Sequence, residues 1–536
     1  MFADSSTVRS RDGALILADG VRLISKLWFP ETGGPWPALL MRQPYGRDIA
    51  STVTYAHPAW WAQQGFLVVV QDVRGQGDST GVFRGFSQEA NDTAATHAWV
   101  RALPECNGKL GCYGFSYQGL TQLLAPANSQ PPECFAPAMA GLDERDDWSC
   151  TGGAHWWHLG LGWGLQLAAL QAKRRGDDQA WSNIRRSLED GTYLRDGPEL
   201  LKDHDPEGMA CTWLQRDPRD RDQWPIHPVQ TSWLKQPMLL LGGWWDPHLS
   251  GVLKLWEHSN AAGGSPELMV GPATHLEWWP GVQTQLLRFF NQHLKAADTS
   301  GSTRGSQFWN ITQSRWQEAC TSSTKTWSLQ SSGLACTDPT HGLLQSDGPG
   351  MGMELIVHDP WRPMPAIGGH LSPSPGPANR ATLDRRTDVA TFNTLPFTRE
   401  HELFGHPHLR LRAQADHPGF DLCVSLSRCA KGDSAVEQLS TGVLRVLGDR
   451  AQTVLEHVVQ LQPLLATLEE GDQLRLSIAA AAWPAIGVNP GDNTTPSGSP
   501  SPQHRVVTLT LHLTDSKLQL IPMNSGKLEN ASSVLP

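Results

Sequence analysis

The chain changes periodicity once, near Thr299, and that change narrows the folds open to it more than any other feature. Before it, short continuous apolar runs alternate with helix-like stretches. Beyond it, helical periodicity almost disappears and short period-two segments follow one another between turn residues. Residues 37–42 and 65–72 read as buried strands, because a strand covered on both faces is apolar at nearly every position. A further strand is expected over 110–115, and 134–140 is an apolar segment. Helical patterns over residues 87–102 and 117–127 fall between them. Alternation of this kind predicts a mostly parallel sheet with helices on both faces.

From residue 143 to 231 the pattern becomes a mixture of charged and aromatic residues, with helical stretches over 159–174 and 179–188 and no convincing strand. The α/β pattern then resumes, with strands expected over 237–242 and 267–270 and helices over 249–260 and 282–295. Residues 143–231 are therefore expected to form a helical cap inserted into an α/β domain built from residues 1–142 and 232–298. A linker is expected over 299–335. Alternating segments at 408–412, 421–426 and 473–477 predict a β-sandwich or jelly roll over 336–525. Residues 489–502 read as a long loop, and 526–536 as a disordered tail.

Composition removes several function classes. The 536 residues carry 43 Lys+Arg against 53 Asp+Glu, a net charge of -10, with no basic cluster that would mark a nucleic-acid partner. No secretory pattern opens the sequence and no run approaches the ~20 apolar residues of a spanning helix, so no membrane partner and a cytoplasmic location are expected. The nine cysteines are scattered without a C-x-x-C pair, which favours reduced thiols over a disulfide framework or thiolate metal site. Of 23 Trp, many are paired, among them Trp156-Trp157 and Trp244-Trp245, and they either fill core or wall an apolar pocket.

The sharpest local signal is Gly114-Phe115-Ser116-Tyr117-Gln118-Gly119, between the expected strand ending at Phe115 and the helical Leu120-Thr121-Gln122. A strand–turn–helix elbow needs small flanking residues, because the nucleophile takes a strained backbone that crowds neighbouring main chain. Such a turn exposes the Ser116 hydroxyl and aims the Tyr117 backbone N–H at a developing oxyanion. An ordinary helix N-cap serine is the plain alternative.

A serine at its free pKa is a poor nucleophile, so an acid and a histidine are expected later in the chain. Asp246 ends a strand-like run and precedes Pro247, a context that also suits a helix N-cap. His275 follows Gly271-Pro272-Ala273-Thr274 at the end of another strand. His248 and His293 are rivals, but both fall on helices rather than at a strand end.

This arrangement resembles the cocaine esterase and X-Pro dipeptidyl-peptidase (CocE/NonD) family, which also includes α-amino acid ester hydrolases and glutaryl acylases. Ser116-Tyr117-Gln118-Gly119 has its Ser-Tyr-x-Gly form, Arg42-Gln43-Pro44-Tyr45 its Arg-x-Pro-Tyr loop, Asp72-Val73-Arg74-Gly75 with Ser79-Thr80-Gly81 its Asp-x-Arg-Gly…Ser-x-Gly segment, and Gly271 to His275 its Gly-Pro-x-x-His loop. His358-Asp359-Pro360 with Pro363, Pro365, Gly368 and Gly369 is similar to its lead into the jelly roll. The resemblance implies an α/β-hydrolase fold with a helical cap insertion and a C-terminal all-β jelly-roll domain. It also implies Tyr45 as second oxyanion donor, a role open to a phenol in a loop on the active face.

Members that bind a free α-amino group do so with carboxylates, and Asp146-Asp147-Trp148 is similar to the ester-hydrolase segment carrying one of them. The further acids those enzymes carry after the triad aspartate are replaced here by Pro247-His248-Leu249. Asp143, Glu144, Asp146 and Asp147 are thus part of an ammonium site, a solvated loop or a helix start. Two weaker signals carry less: Gly75-Gln76-Gly77 lacks the spacing of a dinucleotide loop, and His155-Trp156-Trp157-His158 lacks a third metal ligand.

The expected protein is a serine hydrolase using Ser116, Asp246 and His275, with Tyr45 and Tyr117 at the oxyanion. Asp146, Asp147, Trp148, Trp156 and Trp245 are expected around a small-molecule ester or amide substrate. No metal or cofactor is expected, and a homodimer stays open. An acyl esterase leads; an X-Pro dipeptidyl-peptidase or α-amino acid ester hydrolase is the alternative, and a non-catalytic binding protein using the jelly roll is the alternative of a different class.

Overall fold

The computed structural model describes residues 7–48, 54–295, 305–318, 323–494, 498 and 500–523. The chain opens with an antiparallel hairpin, β1 (Val8–Ile16) and β2 (Arg22–Pro30), ahead of the first strand the sequence marks. β1 forms the sheet edge with largely exposed side chains, so it carries no apolar run to recognise. The α/β pattern follows through β3 (Trp36–Gln43), α1 (Pro58–Gln63), β4 (Leu67–Asp72), α2 (Glu89–Arg101), β5 (Cys106–Phe115), α3 (Tyr117–Leu120) and β6 (Cys134–Ala138).

After an insertion containing the two-residue strands β7 (Cys150–Thr151) and β8 (Ala154–His155), the sheet resumes with β9 (Leu239–Trp245) and β10 (Glu267–Thr274). Its order is β1-β2-β4-β3-β5-β6-β9-β10, parallel from β4 to β10. Both faces are covered. Leu67 and Val69 pack into one core with Leu40, Leu110 and Leu240, while Val68 and Val70 pack into the other with Leu39, Met41 and Leu241. That two-sided burial is why these strands read as unbroken apolar runs.

The insertion holds α4 (Trp157–Arg175), α5 (Asp178–Asp190), α6 (Tyr193–His204), α7 (Met209–Gln215) and α8 (Thr231–Leu234), with a small core of its own around Trp157, Leu161, Leu165, Ile184 and Leu201. Gly176 closes α4 in the left-handed region at φ 72°, and Asp177 caps α5 by accepting from the Ala180 N–H at 3.0 Å. Returning to the sheet, α9 (Leu249–Ala261) and α10 (Val282–Leu294) flank β10.

The expected linker requires correction. Residues 299–304 lie outside the described residues, but β11 (Ser306–Asn310) pairs in parallel with β10 and β12 (Arg315–Glu318) closes back on it. Phe308 is fully buried in the α/β core, and the Trp244 indole donates to the Trp309 carbonyl at 2.7 Å. Without β11, the strand that delivers His275 would end the sheet with an unpaired edge. The all-β domain likewise begins before residue 336, with a strand at Lys325–Ser331.

From there to Val507–Ile521 the chain is built almost wholly of strands, mostly in antiparallel ladders around a core that includes Leu409, Leu411, Val424, Leu476 and Leu511. This is the expected jelly-roll domain. The expected tail over 526–536 lies outside the described residues. Among the described residues no helix is long and apolar enough to cross a membrane.

Candidate active site

Ser116 sits at the end of β5, at φ 58° and ψ −130°, the strained conformation that lifts a side chain out of a strand-to-helix turn. Both flanking glycines are required sterically. A Cβ on Gly114, itself at φ 139°, would lie 2.5 Å from Gln118 Cβ, and one on Gly119 would lie 2.8 Å from Ala140 Cβ. The Ser116 backbone N–H donates to the Ala138 carbonyl at 2.9 Å, fixing the turn to the next strand. The helix after it ends at Leu120 rather than at 127. There the Thr121 and Gln122 side chains donate to the Gln118 carbonyl at 3.0 and 3.2 Å, and Gln122 also bonds the Gly114 carbonyl, in place of helical bonds.

β10 extends through Thr274, past the point the sequence marks, so His275 leaves the sheet directly at its C-terminal edge. Its Nδ1 lies 2.5 Å from Asp246 Oδ2. A carboxylate accepts, so Nδ1 carries the proton and Nε2 is left as the basic nitrogen. Asp246 is fully buried at the end of β9, with Oδ1 accepting from the His248 N–H at 2.9 Å as the chain turns into α9. The turn role and the histidine-orienting contact coexist on the two oxygens. The His275 ring packs 5.2 Å from the ring of Phe115, the neighbour of Ser116, and the Trp278 indole donates to the His275 carbonyl.

Tyr45 follows β3 in a loop held by the Gln43 side chain, which accepts from the Tyr45 N–H at 2.9 Å. Its phenol accepts from the Trp163 indole N–H at 3.0 Å, and Ser116 lies close enough to oppose the effect of burial on it. Burial pushes this phenol up to about 12, so it keeps its proton. The Tyr117 side chain turns away from Ser116 and donates to Glu89 Oε1 at 2.8 Å. Glu89 in turn forms a buried ion pair with Arg42 at 3.0 Å. Burial raises the Glu89 carboxyl above its ordinary value and the Arg42 charge opposes that rise. Arg42 also donates to Gln71 and Thr93, so the arginine of the Arg-x-Pro-Tyr segment anchors β3 to β4 and α2.

The acids entering the cap are all engaged. Asp147 is buried, accepting from the Leu142 and Asp143 N–H groups at 3.1 Å and from Lys254 at 2.9 Å. Asp146 is bound on both oxygens by Arg145, Asp143 by Arg221, and Glu144 by His227, Trp213 and Arg216. His155 and His158 also part, the former to Cys150 and the latter to the Tyr193 hydroxyl.

Trp148 and Trp156 flank the His248 ring at 4.5 and 5.6 Å, and His248 lies 5.0 Å from His275. Trp163 continues this wall, 5.9 Å from Trp148 and 5.8 Å from Trp213. Trp245 is buried directly before Asp246. Trp163, which the sequence reading misses, lies among small and apolar residues on a cap helix, and no local pattern distinguishes it from core.

A strained serine elbow beside a histidine–aspartate pair, on a doubly covered sheet capped by helices, defines an α/β-hydrolase of the serine hydrolase class. Within that class the chain belongs to the CocE/NonD family of cocaine esterases and X-Pro dipeptidyl-peptidases. The profile of X-Pro dipeptidyl-peptidase (S15 family) matches residues 19–277, and that of the X-Pro dipeptidyl-peptidase C-terminal non-catalytic domain matches residues 275–519. Cocaine esterase of Rhodococcus sp. (strain MB1 Bresler) is 26% identical over 485 residues, covering 80% of this chain and 82% of the relative. An aminopeptidase from the marine sediment archaeon Thaumarchaeota archaeon shares the fold with a TM-score of 0.73 at 18% identity, covering 97% of both chains. An α-amino acid ester hydrolase does so with a TM-score of 0.71 at 20% identity and the same coverage.

Proposed function

We propose that the protein is an acyl esterase in which Ser116, His275 and Asp246 form the catalytic triad. His275 Nε2 takes the Ser116 proton as Oγ attacks the ester carbonyl, and Asp246 holds the imidazole in the required tautomer and balances the imidazolium. The Tyr45 hydroxyl and the Tyr117 N–H donate to the oxyanion of the tetrahedral intermediate. His275 returns its proton to the departing alcohol and then activates the water that frees the acyl group.

One observation carries this reading. A strained serine, with a phenol that keeps its proton close by, stands beside a phenylalanine on which an aspartate-bound histidine packs. An ordinary N-cap serine needs none of these neighbours.

Esters are favoured over free-amine substrates because a buried ammonium needs a carboxylate, and the four nearby acids already have partners. Hydrolysis of p-nitrophenyl acetate and Gly-Pro-p-nitroanilide by native protein and Ser116→Ala tests both parts. The expected result is cleavage of the acetate alone, lost in Ser116→Ala. Preferred cleavage of the dipeptide anilide would point instead to the X-Pro dipeptidyl-peptidase reading.

A further inference from the structure

His248 stands two residues after Asp246, and the mechanism above leaves its ring unused. Its Nδ1 lies 2.6 Å from the Asp147 carbonyl, which can only accept, so Nδ1 carries the proton and Nε2 of the neutral ring is a bare acceptor. Burial pushes the ring down to about 4, against the pull of the Asp246 charge, so the neutral form persists at physiological pH. Among the described residues no group hydrogen-bonds His248 Nε2.

Beside it, the Trp156 indole N–H is buried without an acceptor. The aromatic wall next to His275 therefore holds one unfilled acceptor and one unfilled donor. Buried polar groups are ordinarily satisfied, and where a cleft leaves them open a ligand group of matching polarity gains most from entering.

Building on the esterase reading, we propose that His248 selects acyl groups bearing an uncharged hydrogen-bond donor beside the reacting carbonyl, such as an α-hydroxyl or an amide N–H. A plain alkyl or aryl acyl group leaves Nε2 covered and unpaired. An ammonium meets a neutral acceptor with no free carboxylate to balance its charge. A hydroxyl beside the carbonyl donates to Nε2 and fills the open acceptor.

Methyl mandelate, methyl phenylacetate and methyl phenylglycinate test this, since they share an acyl skeleton and differ in carrying a hydroxyl, a hydrogen or an amine. Native protein is expected to favour mandelate over phenylacetate by about tenfold in kcat/KM, the worth of one neutral hydrogen bond, and to favour it over phenylglycinate as well. His248→Leu is expected to bring the mandelate to phenylacetate ratio near one, whereas His248→Gln, which keeps an acceptor, retains part of it. Because the ratio is taken within one preparation, partial unfolding of a variant cancels; if His248→Leu does not fold, the native and His248→Gln ratios decide.

A native ratio of one or less overturns the inference. So does a ratio unchanged by both variants, or failure to cleave any of the three under conditions where p-nitrophenyl acetate is hydrolysed. Acetate hydrolysis that survives in Ser116→Ala would instead break the esterase reading itself, whereas Ser116-dependent hydrolysis without mandelate preference defeats only this inference.

Discussion

Gln462, in the all-β domain, donates a 2.7 Å hydrogen bond to the backbone carbonyl of Asp246. The two residues lie 216 positions apart, and the contact ties the loop carrying the proposed triad acid to a different domain. Gln462 is itself fixed, its N–H donating to the Thr441 carbonyl at 2.9 Å. Through this contact the jelly roll bears on the main chain that carries Asp246. Gln462→Leu is expected to lower kcat for p-nitrophenyl acetate about 3- to 10-fold with little change in KM, the scale of one lost hydrogen bond. Steady-state kinetics on folded variant checks this, and a rise in KM alone would contradict it.

Tyr45 gives a sharper test of transition-state binding. Tyr45→Phe removes the proposed oxyanion donor while keeping the ring, and kcat is expected to fall roughly 100-fold or more with a smaller change in KM. Since burial holds this phenol at about 12, it stays protonated across the working range, and the pH profile of native enzyme should show no loss assignable to Tyr45 ionisation below pH 10.

The buried pair of Arg42 and Glu89 bears on stability. Replacing Arg42 by Met strands the Glu89 carboxylate in the core, and a broken buried pair costs about 3–5 kcal/mol. Urea unfolding should show that loss as a lower midpoint. A midpoint unchanged from native would mean that the pair contributes little to folding.

Acid should destabilise the fold through its buried neutral histidines. His155 and His248 are held by burial at about 4, against an ordinary value of 6.5. Below 6.5 the unfolded chain takes up protons that the folded rings refuse. Their contribution is therefore fully present above pH 6.5 and is lost as pH falls toward 4, by up to about 1.4 kcal/mol per pH unit for each ring. The urea midpoint measured from pH 7.5 to 4.5 should fall accordingly.

The reach of the sequence reading follows from how local each signal is. The elbow was legible because backbone strain demands Gly114 and Gly119 within three residues of Ser116, and the parallel strands because two-sided burial makes them continuous apolar runs. β11 was hidden because Ser306–Asn310 mixes Ser, Gln and Asn with its aromatics; only pairing with β10 makes it a strand. The acids at 143–147 looked like candidates for a substrate ammonium, yet Asp143, Glu144 and Asp147 are engaged by Arg221, Arg216, His227 and Lys254 from 70 to 110 residues away. Trp163 and Gln462 escaped for the same reason, since each acts on the site only through a fold that brings distant segments together.

The central claim is that Ser116 is the nucleophile, and covalent capture tests it most directly. Native protein treated with a fluorophosphonate should gain the mass of one phosphonyl group, carried by the peptide containing Ser116. Ser116→Ala, with an unchanged urea midpoint, should gain none. Labelling that persists in the variant, or that maps to another residue in native protein, would contradict the account.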